Sequence, residues 1–137
     1  MQQYLFKGKR KDNGEWVTGS LTVEYDGTCH INYWVSKLLE PENNYWELVS
    51  EMVEILPKTV GIWIGWLDWL GAKVFTGDKI LIAWDHGEES VETISYSEEY
   101  GYFMYGNNPI CELKDPERIF TVVGNIHDVN PAAKEQL

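Results

Sequence analysis

Cysteine is scarce: Cys29 and Cys111 are the two thiols in 137 residues. Two widely separated thiols make no disulfide framework, and no Cys-x-x-Cys pair marks a zinc site. Both are expected to be small buried hydrophobes in a reducing compartment. Basic residues are also few, 11 against 22 acidic ones, which leaves a net charge of −11. A phosphate backbone repels such a field, so direct nucleic-acid binding would need a segregated basic patch. The one cluster of that kind is Lys7, Lys9, Arg10 and Lys11. No apolar run approaches the roughly 18 residues of a membrane-spanning helix. The start, Met1-Gln2-Gln3-Tyr4, lacks the charged-then-apolar pattern of a signal peptide. A cytoplasmic protein with no membrane attachment is the expectation.

Catalytic and metal signatures are missing as well. No Gly-rich phosphate loop opens a helix, and His30, His86 and His127 do not fall at metal-ligand spacing. Cys29 and His30 are neighbours, and adjacent strand residues point to opposite faces. His127 with Asp128 has the chemistry of a base and its orienter, and Cys111 that of a nucleophile, but nothing in the sequence brings them together. No catalytic, cofactor or metal residue is expected, and the chain reads as a non-enzyme.

What is abundant is aromatic surface: seven Trp and eight Tyr, with aromatics at 14% and apolar residues at 44%. Large rings bury much area and favour strands, so the composition points to a mainly β fold, a small barrel or sandwich. Residues 1–33 read as a β-meander. Tyr4–Arg10, Trp16–Thr18, Leu21–Tyr25 and Thr28–Tyr33 are the strands, with two-residue turns at Asn13-Gly14 and Asp26-Gly27. Residues 34–58 change character, because Leu48, Val49, Met52, Val53 and Leu56 follow helical spacing and predict a short amphipathic helix over 46–56. Residues 59–128 return to strands: Gly61–Leu67, Lys73–Phe75, Lys79–Trp84, Val91–Tyr96, Tyr100–Tyr105 and Ile119–Ile126. They complete the same domain, and 129–137 read as a polar tail.

Three segments resemble the YopX-like family of phage and prophage proteins. They are Phe6-Lys7-Gly8-Lys9-Arg10 through Gly19-Ser20-Leu21; Thr59-Val60-Gly61 through Gly65, Asp68, Gly71 and Gly77-Asp78; and Val122–Asp128 with Asn130-Pro131. The chain departs from the family pattern at Trp63-Ile64-Gly65, at the apolar turn Asp68-Trp69-Leu70-Gly71 and at Val129. The resemblance implies a mainly β fold, self-association and a phage origin; it implies no activity. The glycines themselves read structurally: Gly65, Gly71 and Gly77 suit a bulge and turns, with Asp78 accepting backbone hydrogen bonds.

Two candidate binding surfaces follow. Trp63, Trp66 and Trp69 recur every third residue, a spacing that neither a strand face nor a helix face buries completely, so at least one indole should lie on a surface, and aromatic patches favour interfaces. From Asp85 to Tyr105 the acids Asp85, Glu88, Glu89, Glu92, Glu98 and Glu99 meet no Lys or Arg. The expected function is a non-catalytic homo-oligomeric binding module directed at a host protein. The alternatives are an acidic mimic of nucleic acid and a binder that sequesters a nucleotide-like small molecule.

Overall fold

A computed structural model describes residues 4–84, 86–114 and 119–128. Among the described residues there are eleven strands and three short 3-10 turns. Their hydrogen-bonded order is β4-β3-β2-β1-β5-β6 in one sheet and β10-β9-β8-β7-β11 in the other. All pairings are antiparallel and neither sheet closes into a barrel, so the fold is of the mainly β, sandwich type. The chain forms two compact units that meet in sequence between Ile62 and Trp63.

In the first unit β1 (Phe6–Lys9), β2 (Trp16–Val23) and β3 (Cys29–Glu40) form the expected meander, with the strands expected at Trp16–Thr18 and Leu21–Tyr25 merged into β2, and β4 (Tyr45–Ile55) extends it. The turns are longer than predicted. A type I′ turn needs positive φ at both central residues, yet Asn13 and Asp26 lack it, while Gly14 and Gly27 have φ of 73° and 90°. Arg10 and Glu15 close the first loop, and Glu24 and Thr28 the second. The core is Cys29, Ile31 and Ile55, flanked by Phe6, Val17, Leu21, Tyr33, Val53 and Val60. Two glycines permit its close approaches: a Cβ on Gly8 would lie 2.2 Å from Ile55 Cγ2, and one on Gly19 would lie 2.0 Å from the Asn32 carbonyl oxygen. Below this core Thr59 is buried. Its hydroxyl accepts from Lys9 N (2.8 Å) and donates to Leu56 O (2.7 Å).

The helix expected over 46–56 is a strand. Residues 45–55 pair with β3 from Tyr45 opposite Glu40 to Ile55 opposite Cys29. The connection is a 3-10 turn, Pro41–Asn43, ended by Asn44 in the left-handed region at φ 50°. Helical spacing arose because both faces of this strand carry apolar residues: Trp46, Leu48 and Met52 on one, Val49 and Val53 on the other. The two interleaved sets mimic a period near 3.6.

In the second unit β5 (Gly61–Leu67) continues past Ile62 into a hairpin with β6 (Lys73–Phe75). Then β7 (Asp78–Ala83), β8 (Glu89–Ser97), β9 (Tyr102–Tyr105), β10 (Asn108–Pro109) and β11 (Ile119–Asn125) follow. The core is Ile64, Val74, Ile80, Ile82, Ile94, Tyr105 and Leu113. The glycine reading holds. Register shifts between Trp63 and Leu67 around Gly65, and Gly65, Gly71 and Gly77 all have φ near 90°. Asp78 is buried and accepts from Phe75 N (2.8 Å) and Asn125 Nδ2 (2.9 Å).

Candidate interaction surfaces

The Trp63–Trp69 segment separates its three indoles. Trp66 packs on the core of the second unit, 6.4 Å from the Phe120 ring. Trp63 is half-buried; its Nε1 donates to Trp66 O (2.9 Å), and Lys73 Nζ sits 5.6 Å from its ring centroid. Trp69 lies beyond the end of β5 in the turn and is 66% exposed, next to Leu70 at 79%. With Leu67 these two form an apolar tip; Trp63 and Trp66 do not belong to it.

The turn is held from beneath by Asp68. Its carboxylate is buried and accepts three backbone N–H groups: Leu70 (2.9 Å) and Ala72 (2.8 Å) on Oδ1, Val122 (2.9 Å) on Oδ2. Trp69 N also donates to Phe120 O at 3.0 Å. Anchoring therefore comes from backbone groups and one acid, with no hydrogen bond required of the tip side chains.

The acidic run does not converge. Glu89 and Glu92 lie on opposite faces of β8 by strand alternation. Glu92 is half-buried, with its carboxylate over Gly106, where an added Cβ would meet Oε2 at 2.4 Å. Glu88 is exposed and contacts His86 Nε2 at 3.2 Å. Glu98 and Glu99 sit in the turn before β9. Asp85, the remaining member, lies outside the described residues, as do the tail 129–137 and its Asn130-Pro131.

The basic cluster is occupied within the first unit. Lys7 and Lys9 place their ammonium groups 4.8 and 5.5 Å from the Trp16 ring centroid. Arg10 makes a bidentate pair with Asp12 (2.9 and 2.8 Å), which raises its pKa and lowers that of Asp12. Lys11 pairs with Glu54 at 3.0 Å.

The candidate pair His127 and Asp128 is tied to Asn125. Asp128 Oδ2 accepts from Asn125 N (2.8 Å), and His127 N donates to Asn125 Oδ1 (2.9 Å). Both cysteines are free thiols, but only Cys29 is buried; Cys111, on a 3-10 turn, is exposed, contrary to expectation. Among the described residues no three His, Cys, Asp or Glu side chains are placed to hold a metal ion. Among the described residues no helix is long and apolar enough to cross a membrane.

Two surfaces escaped sequence reasoning. One is an aromatic group at the β8–β9 turn, where Tyr100 stacks on Tyr102 (5.5 Å between centroids) and Tyr96 meets Phe103 edge-on at 5.4 Å. The other is the distal part of the β3–β4 ribbon. Pairing of β2 with β3 ends at Ser20 opposite Asn32, whereas β3 and β4 pair onward to Glu40. Residues 33–40 and 45–51 thus form a two-stranded arm. Its face of Tyr33, Val35, Lys37, Glu47, Val49 and Glu51 carries a polar network. Tyr33 OH donates to Glu51 Oε2 (3.1 Å), Arg10 Nη1 reaches Tyr33 at 3.4 Å, and Lys37 pairs with Glu51. The Lys37 contact first, then Tyr33, lowers the Glu51 pKa; burial first, then Glu51, raises that of Tyr33. Proline and Asn44 between two apolar runs were the available signal for this hairpin.

These features define a mainly β protein with exposed apolar side chains at its turns and on its β3–β4 ribbon. No family model matches the chain, and no curated protein does. Among solved structures it is similar to protein EF1440 from Enterococcus faecalis. The TM-score is 0.57 at 16% identity, covering 93% of this chain and 95% of that one. At that identity the likeness concerns the fold alone.

Proposed function

We propose that this chain is a phage or prophage accessory protein of the YopX-like kind, acting as a non-catalytic, homo-oligomeric binding module for a host protein. One observation carries the reading: Trp69 and Leu70 stand exposed on a turn whose geometry depends on Asp68 and not on them. Large apolar side chains held out on a rigid turn are what an interface anchor requires, since little ordering cost remains on binding. The acidic-mimic alternative loses support from Glu89 and Glu92 lying on opposite faces of β8. The small-ligand alternative retains one observation, an open groove in the first unit lined by Tyr4, Thr18, Ser20, Asn32, Tyr33 and Trp34.

The test pairs Trp69→Ser/Leu70→Ser with the parent protein in capture from host lysate and in light scattering. The double variant should keep its melting temperature and lose a captured host protein that the parent retains reproducibly. Equal capture by both would overturn the assignment of the tip. Titration with mononucleotides, followed by tryptophan fluorescence, addresses the groove; no change up to millimolar concentration removes that alternative.

A further inference from the structure

We infer that two copies of this chain associate through β4, edge to edge and antiparallel, with Ser50 on the two-fold axis. This rests on the homo-oligomeric part of the reading above and names the surface responsible.

A two-stranded ribbon is marginal in water, and stability normally needs a third strand or a covering layer. Among the described residues β4 ends its sheet order, and residues 33–40 of β3 have β4 as their one ladder partner. Natural edges are blunted by lysine, proline, bulges or shortness; β4 is 11 residues long and contains neither lysine nor proline. The register shift of the hairpin falls at its far end, between Leu38 and Glu40.

The direction of the free backbone groups can be read from the base of the strand. Lys11 N donates to Glu54 O (3.0 Å), and Leu56 N donates to Lys9 O (2.9 Å). Even-numbered residues of β4 therefore turn their N–H and C=O away from β3. At Glu54 that edge is occupied; at Trp46, Leu48, Ser50 and Met52 it is open to another strand.

The same residues supply an uncharged face. Trp34, Ser36 and Leu38 share it with Trp46, Leu48, Ser50 and Met52, and every one of these is exposed, Leu48 at 64% and Met52 at 59%. Lys37, Glu47 and Glu51 all occupy the reverse face.

Charge then selects the occupant and the register. Centring a self-pair on Val49 sets Glu47 against Glu51 of the second copy twice, and centring on Glu51 sets it against itself; like charges directly opposite destabilise a ladder. Centring on Leu48 avoids this but leaves Met52 outside the ladder and sets Trp46 against Ser50. Centring on Ser50 places Leu48 against Met52 of the second copy twice, and Glu47 and Glu51 against Val53 and Val49. The seven residues 47–53 then pair, stopping where Lys11 covers Glu54. Two marginal ribbons become one four-stranded arm.

The experiment uses the full chain in a Cys111→Ser background, with Cys29 buried. Directly opposite hydrogen-bonded residues have Cα atoms about 5.5 Å apart, within disulfide reach. Ser50→Cys should form a covalent dimer on mild oxidation, and Leu48→Cys should not. Separately, Leu48→Glu should raise the dimer dissociation constant at least about tenfold with an unchanged circular dichroism spectrum. A covalent dimer from Leu48→Cys but not Ser50→Cys would overturn the register. An oligomer that persists in Leu48→Glu, with no linkage at Ser50, would overturn the surface and leave the homo-oligomeric reading standing. A strict monomer at 100 µM-scale concentration (on the order of the weakest specific contacts) would overturn both.

Discussion

Replacing Gly19 by alanine tests whether the first unit depends on the close approach of β2 to β3. Gly19 lies in β2, paired with Phe6 of β1 and next to the Ser20–Asn32 rung. The added methyl would sit 2.0 Å from the Asn32 carbonyl oxygen and 2.9 Å from its carbon. Comfortable non-bonded contact is about 3.5 Å, and the obstacle is backbone, which cannot rotate away. Strand separation must grow locally, so overpacking of about 1–3 kcal/mol adds to a weakened ladder bond worth about 1 kcal/mol. A loss of about 2–4 kcal/mol is expected, a large share of a typical 5–15 kcal/mol. It should lower the melting temperature by about 10 °C. Gly124→Ala is the control: it is also a strand glycine, but its Cβ would meet Asp128 Oδ2 at an ordinary 3.4 Å. Urea unfolding followed by circular dichroism, with hydrogen exchange at residues 16–32, measures both. If Gly19→Ala falls within about 0.5 kcal/mol of Gly124→Ala, a range typical of neutral surface changes, the steric argument fails.

Thr59→Val removes the acceptor of Lys9 N and the donor to Leu56 O at nearly constant volume; it should cost about 1–3 kcal/mol in urea unfolding, with Thr59→Ser restoring most of it. Asp68→Asn leaves one oxygen for three N–H donors, so it should destabilise the Trp69 turn and weaken partner capture even though Trp69 and Leu70 are intact. For Glu51, whose pKa lies below the ordinary 4.5, the folded state binds its proton less readily than the unfolded chain. Its contribution is therefore present above about pH 4.5 and lost as pH falls through the lowered value. Melting curves of the parent and Glu51→Gln should converge there and diverge at neutral pH. Tyr33, raised above 10.0, works the opposite way: stability falls as pH climbs from about 10 through the raised value. Tyr33→Phe should flatten that decline.

The fold class was legible because its signals are local. Glycines at 14, 27, 71 and 77 mark turns, and the continuous run Ile80-Leu81-Ile82 marks a buried strand. Turn type was misjudged where Asn13 and Asp26 keep negative φ, because three- and four-residue loops use the same residue pairs as a two-residue turn. The strand over 45–55 was illegible for a different reason. Its alternation is masked by apolar side chains on both faces, because Trp46, Leu48 and Met52 stand exposed opposite the more buried Val49, Val53 and Ile55. The Trp63–Trp69 spacing correctly signalled one exposed indole, but only the long-range bond from Val122 N to Asp68 shows that it is Trp69. Nothing local foretold that Gly8 and Gly19 face Ile55 and Asn32 across the sheet.

Because Asp68 fastens the β5–β6 turn through main-chain N–H groups, the turn's backbone bonds do not depend on which side chains stand at residues 69 and 70. Selection can rewrite those two positions, exchanging indole for guanidinium or hydroxyl, without refolding anything beneath them. A lineage confronting a changing target could thus retune recognition through two codons while its scaffold stays fixed.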